Sequence, residues 1–600
     1  MSKPQDVLPH WDMQTVFPGL ESDEFDAAFQ SLMQEIADLV TLFDTHGINR
    51  VEAAILDATM LATFDAIINR MNEILEKVNT IRSYLFGFLT TDSRNEIAQA
   101  RFSELQPYFS KLDLLGTRFT AWIGSLDVDD LIAQSELAAA HAYVLHKARQ
   151  GSLHLMSPTE EALASELGLT GSSSWQRMFN DFTSQLKVTL ELDGEIQTLP
   201  LTAVQNLAFR PERDVRERAH QAVLNTLEEA SVPLAAALNA IKGETLTLCR
   251  RRGWESPLDM VLFENALDRP TLDAMMAACH DAFPYFQRYL KARARLMGLP
   301  VLAWYDQLAP LGQGSQSYSY TDATQFVTRQ FASYSPQMAR LAQRAFAENW
   351  IDAEPRAGKS GGAFCMSLRE DESRILMNFE SNFTSVGTLA HELGHAYHNV
   401  ALAPRTPLQK YLPMTLAETA STFCQKIVEN AALQTAVPQD QLIILDGLLE
   451  YATRVVLGAT SNFLFEQSVF EKRTQRELSA AEFCALEIEA QKATRGDAIH
   501  PDHFHPYRWA YVPHYYIATY YNFPYIFGLL FGLGLYAQYQ ANPASFQAGY
   551  DDLLSSTGLG DAADLAARFG LDIRQKAFWQ ASLDVLRADV DRFEQLTMNN

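Results

Sequence analysis

The chain has 600 residues, 47% hydrophobic and 20% charged, enough apolar material for a large core or more than one domain. Its formal charge of −25 gives no footprint for a polyanion, which excludes nucleic acid as a natural partner. Five cysteines (249, 279, 365, 424 and 484) are scattered, odd in number and free of any CxxC pair, so free thiols in a reducing cytoplasm are expected rather than a disulfide framework.

Met1-Ser-Lys-Pro-Gln-Asp carries no apolar core of the kind a secretory signal needs. Residues 22–130 read as several amphipathic helices, with breaks at Thr45-His-Gly47 and Thr90-Thr-Asp-Ser93. Ser157-Pro158-Thr-Glu160-Glu161 is a helix start, and Thr170-Gly-Ser-Ser-Ser174 a polar break. A hairpin follows, with Leu186–Leu192 and Ile196–Leu199 flanking the turn Asp193-Gly194. Arg374–Phe379 alternates in a second β pattern. Directly ahead of the helix described next, it is expected to be either an edge strand to which a peptide adds by backbone hydrogen bonds or an ordinary core strand. The longest apolar run, Tyr525–Tyr536, is too short to span a bilayer and is interrupted by three glycines. No repeat of fixed period is present.

His391-Glu392-Leu393-Gly394-His395 is the HExxH pattern. From Thr384 to Leu402 there is no proline, and Val386, Leu389, Ala390, Leu393, Tyr397 and Val400 recur at helical spacing on one face. His391, His395 and His398 fall on the opposite face with Glu392 at their flank, so the core face is supplied without them. Two imidazoles one turn apart, ~6 Å along the axis, suit a single zinc, with the intervening glutamate beside the water it activates. A third ligand is needed. His398 lies seven residues from His391, about 10 Å along the axis, and lacks the glycine turn that returns a later histidine to the metal, so it reads as a supporting or substrate-side group. Glu418, in a helical stretch entered after Pro413, supplies the carboxylate. The competing reading is a capping box, Thr415 with Glu418.

Tyr507–Phe527 holds seven of the 22 tyrosines, with His503, His505 and His514 nearby. Most such aromatics form core or channel wall. His514 and Tyr521, seven apart, can share one helical face before Pro524, and donors of this kind can stabilise an oxyanion.

Thr388-Leu-Ala-His-Glu-Leu-Gly-His-Ala-Tyr-His followed by Ala417-Glu-Thr-Ala-Ser-Thr-Phe resembles the M3 family of zinc oligopeptidases, in its oligoendopeptidase F branch. Gly358-Lys-Ser-Gly-Gly-Ala-Phe, Pro513-His-Tyr-Tyr and the opening Trp11-Asp12 with Phe17-Pro18-Gly19 extend the resemblance over essentially the whole chain. Two departures stand out: Gln425 occupies the place where many relatives carry a second glutamate, and the C-terminal tyrosine run matches only loosely. The resemblance implies a mainly α fold: a two-lobed helical shell around a deep channel, with a small β element beside the HExxH helix. It implies an N-terminal helical region over 1–200 with a hairpin near its end, then a catalytic domain over 201–600. It also implies one zinc per chain on His391, His395 and Glu418, Glu392 as general base, and oxyanion donors from His514 and a tyrosine among Tyr516, Tyr520 and Tyr521. Short unstructured peptides are the expected partners, with neither nucleic acid nor membrane, and the activity that of a cytoplasmic zinc endopeptidase. A metallocarboxypeptidase or dipeptidyl carboxypeptidase of related fold would use the same zinc core. An inert peptide-binding protein would need neither the base nor an open metal position.

Overall fold

The computed structural model describes residues 7–52, 55–312 and 316–598, so Met1–Asp6, on which the reading of the N-terminus rests, lie outside it. The fold is mainly α, and the chain separates into two compact units, each drawing on segments from both sides of residue 200. Unit 1 comprises Met1–Leu155, Ser317–Ala432 and Gln538–Phe569; unit 2 comprises Met156–Gln316, Leu433–Ala537 and Gly570–Asn600.

Unit 1 opens with three long helices, Asp23–Thr45, Ala58–Thr91 and Glu96–Ile123, broken where the sequence predicts. Ser22, Asp57 and Asn95 cap them by accepting a first-turn backbone N–H. Each such cap contributes about 1 kcal/mol. Phe25, Phe29, Leu32 and Ile36 of the first helix pack on Phe64, Ile67 and Ile68 of the second in a fully buried core. A three-stranded sheet lies in the same unit, with Glu372–Leu376 at its centre, parallel to Ile351–Asp352 and antiparallel to Phe364–Arg369. The predicted strand is therefore real but is not an edge. Ile375 and Leu376 are fully buried, and both neighbours take its backbone hydrogen bonds, so a peptide cannot add to it.

Unit 2 is built on Arg213–Arg251, Arg269–Leu296, Pro438–Thr453, Thr460–Arg473, Ala480–Arg495, Lys576–Met598 and all but the last turn of Phe523–Ala541. Its hairpin pairs Lys187–Leu192 with Glu195–Pro200. Asp193 and Gly194 both take positive φ (54° and 83°), as a two-residue hairpin turn of matching twist demands. The helix starting at Pro158 carries a full capping box from Ser157 and Glu160. The apolar run Tyr525–Tyr536 lies inside the helix Phe523–Ala541, and among the described residues no helix is long and apolar enough to cross a membrane.

Candidate metal centre and active site

The HExxH helix spans Phe383–Leu402, started by Asn382, whose side chain accepts from Ser385 N at 3.0 Å. Val386, Leu389, Ala390, Leu393 and Tyr397 are buried on its inner face, as the periodicity predicts. His391 and His395 are partly exposed on the other. Glu418 does not continue a helix. It ends the short helix Met414–Ala417 and precedes Ser421–Thr435, with φ −90° and ψ 8°, so the expected continuous stretch is broken there. The capping-box alternative is not realised either: the helix start falls at Pro413 and has no side-chain cap bond.

The break is what lets Glu418 reach the histidines. Its Oε2 lies 3.2 Å from His391 Nε2 and 3.4 Å from His395 Nε2, and accepts from Ser421 Oγ at 2.6 Å. Gly394 permits the approach. A Cβ there would meet Ser421 Cα at 2.6 Å and the Ala420 carbonyl oxygen at 2.7 Å, backbone atoms that cannot rotate away. Among the described residues this is the only group of three His, Cys, Asp or Glu side chains whose ligand-type atoms all fall within 4.8 Å of one another.

The electrostatics follow from the close approach of these groups. Burial opposes charge on His391, yet Glu418 outweighs it and raises that imidazole to about 9. Burial likewise opposes charge on Glu418, and the two imidazoles still hold its carboxyl well below the usual range. Glu392 differs: only 4% exposed, with Oε2 bonded to nothing, it has its pKa raised by burial against the pull of the two histidines. His391 Nδ1 is bonded to Gln425 Oε1 at 2.9 Å, leaving Nε2 turned toward Glu418. Gln425 Nε2 donates to Glu429 Oε1 at 2.6 Å. Glu429 escaped the sequence reading, although its place four residues after Gln425 on one helix was the available sign. His398 is not on the substrate side: buried at 1% exposure, it bonds Thr557 Oγ1 through Nε2 at 2.8 Å.

The aromatic segment belongs to unit 2. His514 lies on a single-turn helix, His514–Ile517, which ends at Ala518, so it shares no helical face with Tyr521 as expected from their spacing. The two rings meet all the same, centroids 5.0 Å apart. A buried ion pair fixes the connecting loop: Lys242 Nζ lies 2.7 Å from Glu466 Oε1 and also donates to the Ala518 carbonyl, while Glu466 accepts from Tyr520 N and Asn522 Nδ2. Tyr516 is fully buried, stacked on Phe179 at 3.8 Å, with its hydroxyl donating to the Leu234 carbonyl. Tyr520 packs between Phe463 and Phe470.

Comparison with known proteins adds the family. The sequence profile of Peptidase family M3 matches residues 206–585. The chain belongs to that family. The Oligopeptidase F profile matches residues 123–187 of this M3 peptidase. It is similar to the group B oligopeptidase PepB of Streptococcus agalactiae, at 24% identity over 98% of this chain and 96% of that protein. Oligopeptidase PepF of Bacillus subtilis is 21% identical over 98% of this chain and 87% of its own length. The crystal structure of oligoendopeptidase-F from Enterococcus faecium shares the fold, with a TM-score of 0.71 at 18% identity, covering 96% of this chain and 99% of that one. This M3 peptidase acts on peptides.

Proposed function

We propose that this peptidase is a zinc-dependent endopeptidase of short unstructured oligopeptides, with one zinc held by His391, His395 and Glu418. The observation that carries the reading is the convergence of those three side chains within 4.8 Å beside the buried, partnerless carboxyl oxygen of Glu392. Two imidazoles and one carboxylate suit zinc in a hydrolytic site, where a fourth position stays open. Bound there, zinc supplies Lewis acidity, which polarises a carbonyl and brings the pKa of a water from 15.7 toward ~7. Glu392 takes the proton of the attacking water and hands it to the leaving amine. Its burial serves that role, since a carboxylate of raised pKa is the stronger base.

The oxyanion formed at the scissile carbonyl needs donors. His514 and Tyr521, partly exposed and ring to ring, are our assignment for that task, while Tyr516 and Tyr520 serve packing. The restriction to oligopeptides rests on the resemblance to oligopeptidases, and the five free cysteines fit a cytoplasmic setting. The deciding experiment is Glu392→Gln. Turnover of an internally quenched peptide, amidated at its C-terminus, should fall at least ~10²-fold while zinc content stays near one per chain. Loss of zinc with the activity would remove Glu392 from the role of base. Wild-type activity confined to peptides with free C-termini would replace the endopeptidase by a carboxypeptidase.

A further inference from the structure

Unit 2 contains a cavity of about 360 Å³ that shares no residue with the HExxH site. Part of its wall is Arg454–Ala459, a π-helical turn inserted between two α-helices. Such insertions are frequent at functional sites.

Four arginines border the cavity, and three have carboxylate partners. Arg216 pairs with Asp306 at 3.0 Å, Arg454 with Glu450 at 3.7 Å and Arg508 with Glu487 at 3.7 Å. Arg213 also binds Asp306, so that carboxylate is fully committed. Arg495 is left over. Only 5% exposed, it donates from Nε to Gln307 Oε1 at 3.1 Å and from Nη1 to Thr494 Oγ1 at 3.1 Å, both neutral, and its guanidinium lies 4.9 Å from the Trp304 ring centre. Among the described residues no carboxylate forms an ion pair with it. Burial and the like charge of Arg508 lower its pKa to about 9 against the pull of Glu487, the buried carboxylate paired with Arg508, so Arg495 remains charged at neutral pH. A buried cation with no carboxylate at ion-pair distance, sharing the field of Glu487 with Arg508, bears a desolvation penalty that a further anion relieves.

Two further side chains face the same space unsatisfied. His505 Nδ1 and Thr453 Oγ1 are buried, border the cavity and have no hydrogen-bond partner. Burial lowers His220 to about 4 and His505 well below its usual value, so both imidazoles offer neutral hydrogen bonds rather than charge. The rest of the wall is largely aromatic and aliphatic, with Phe209, Trp304, Tyr305, Leu290 and Leu308. A bare halide would leave most of such a volume unfilled, since it would hold about a dozen waters at ~30 Å³ each. The volume and the apolar lining are those of a site for a small organic molecule.

We propose that this cavity binds a small organic carboxylate, its acid group paired with Arg495 and its apolar part against Trp304 and Tyr305. The ligand class is an α-carboxylate beside an apolar side chain, as in an N-blocked amino acid or at the end of a peptide.

The test uses N-acetylphenylalanine, titrated calorimetrically into the full-length His391→Ala variant so that the candidate metal centre does not contribute. One molecule should bind per chain, and N-acetylphenylalanine amide should bind at least tenfold more weakly. Gln307→Glu is the charge-specific variant. It places a carboxylate beside Arg495 with almost no change in shape, and should weaken binding at least tenfold while leaving the melting temperature equal or higher. Arg495→Gln should also weaken binding at least tenfold. Competition by a pentapeptide ending in phenylalanine identifies a chain end as an occupant, and its failure to compete identifies the single residue; both satisfy the proposal. Equal affinity for the amide, undiminished binding in Gln307→Glu, no binding at millimolar ligand, or displacement by chloride and acetate at the same concentrations would each overturn it.

Discussion

Gln425 Oε1 lies 2.9 Å from Nδ1 of His391, and the same amide donates through Nε2 to Glu429 at 2.6 Å. Glu429 can only accept, so it fixes which end of the amide faces the imidazole. The oxygen faces His391, so Nδ1 carries a proton on that side, and Nε2, the nitrogen turned toward Glu418, is the one left to serve a metal once it loses its own proton. A neutral amide thus relays the Glu429 carboxyl to the imidazole. A glutamate at 425 would set two carboxylates against each other.

Removing the relay should loosen the metal. Gln425→Leu keeps the bulk and deletes both hydrogen bonds, and the expected outcome is a zinc affinity about 10–100-fold lower in chelator competition. Unchanged affinity would show that the ring is held by packing alone.

Gly394 offers a second handle on the same geometry. Gly394→Ala places a methyl group 2.6 Å from Ser421 Cα, so either the helix or the Glu418 turn must move. Overpacking of this kind costs about 1–3 kcal/mol. A lower melting temperature together with reduced zinc retention is expected, whereas loss of stability with full zinc retention would mean that the turn does not set the ligand.

The helices and the face that carries His391 and His395 were legible in the sequence because both are local. Val386, Leu389 and Leu393 report an inner helical face from spacing alone, and His391 and His395 must then point the other way. Sheet order is not local. Nothing in Arg374–Phe379 says that Phe364–Arg369 pairs on one side and Ile351–Asp352 on the other, so the central strand reads equally as an edge. The break at Glu418 is hidden for a related reason: Leu416–Phe423 contains no glycine or proline, and the turn is fixed from outside by the Tyr550 hydroxyl on the Thr419 carbonyl and by the space over Gly394. His514 and Tyr521 were paired correctly for the wrong reason. Their rings meet because Lys242 and Glu466, distant in sequence, pin the loop between them.

The tyrosines separate into two groups that substitution can distinguish. Tyr521→Phe removes a hydroxyl beside His514 and should lower kcat about a hundredfold with little change in KM, the usual cost of one oxyanion donor. Tyr516→Phe removes a hydroxyl bonded to the Leu234 carbonyl and should leave kcat intact while lowering stability by about 1 kcal/mol. Reversal of the two results would move the oxyanion role to Tyr516.

The Gly358-Lys-Ser-Gly-Gly segment owes its order to one buried cation. Lys359 Nζ donates to the carbonyls of Met377, Glu354 and Asp352 and lies 2.8 Å from Asp352 Oδ1, with both side chains almost wholly buried. Arg356 forms a second bond to the same carboxylate at 2.6 Å. Burial alone would raise the pKa of Asp352, but Arg356 and Lys359 outweigh it and the value is lowered. A group with a depressed folded pKa contributes stability above its unfolded value of about 3.9, and that contribution is lost as pH falls through the folded one. Asp352→Asn should therefore lower the stability of metal-free protein by about 3–5 kcal/mol at neutral pH, because it leaves a buried ammonium without its counter-charge. The gap between variant and wild type should stay constant from pH 8 to 5, begin to narrow below pH ~4 and close only as pH falls through the depressed folded pKa, where protonation of Asp352 makes the wild type resemble the variant. Unfolding midpoints in urea across that range measure it. A gap that does not shrink at all between pH 5 and pH 2 would show that the asparagine disrupts packing rather than charge.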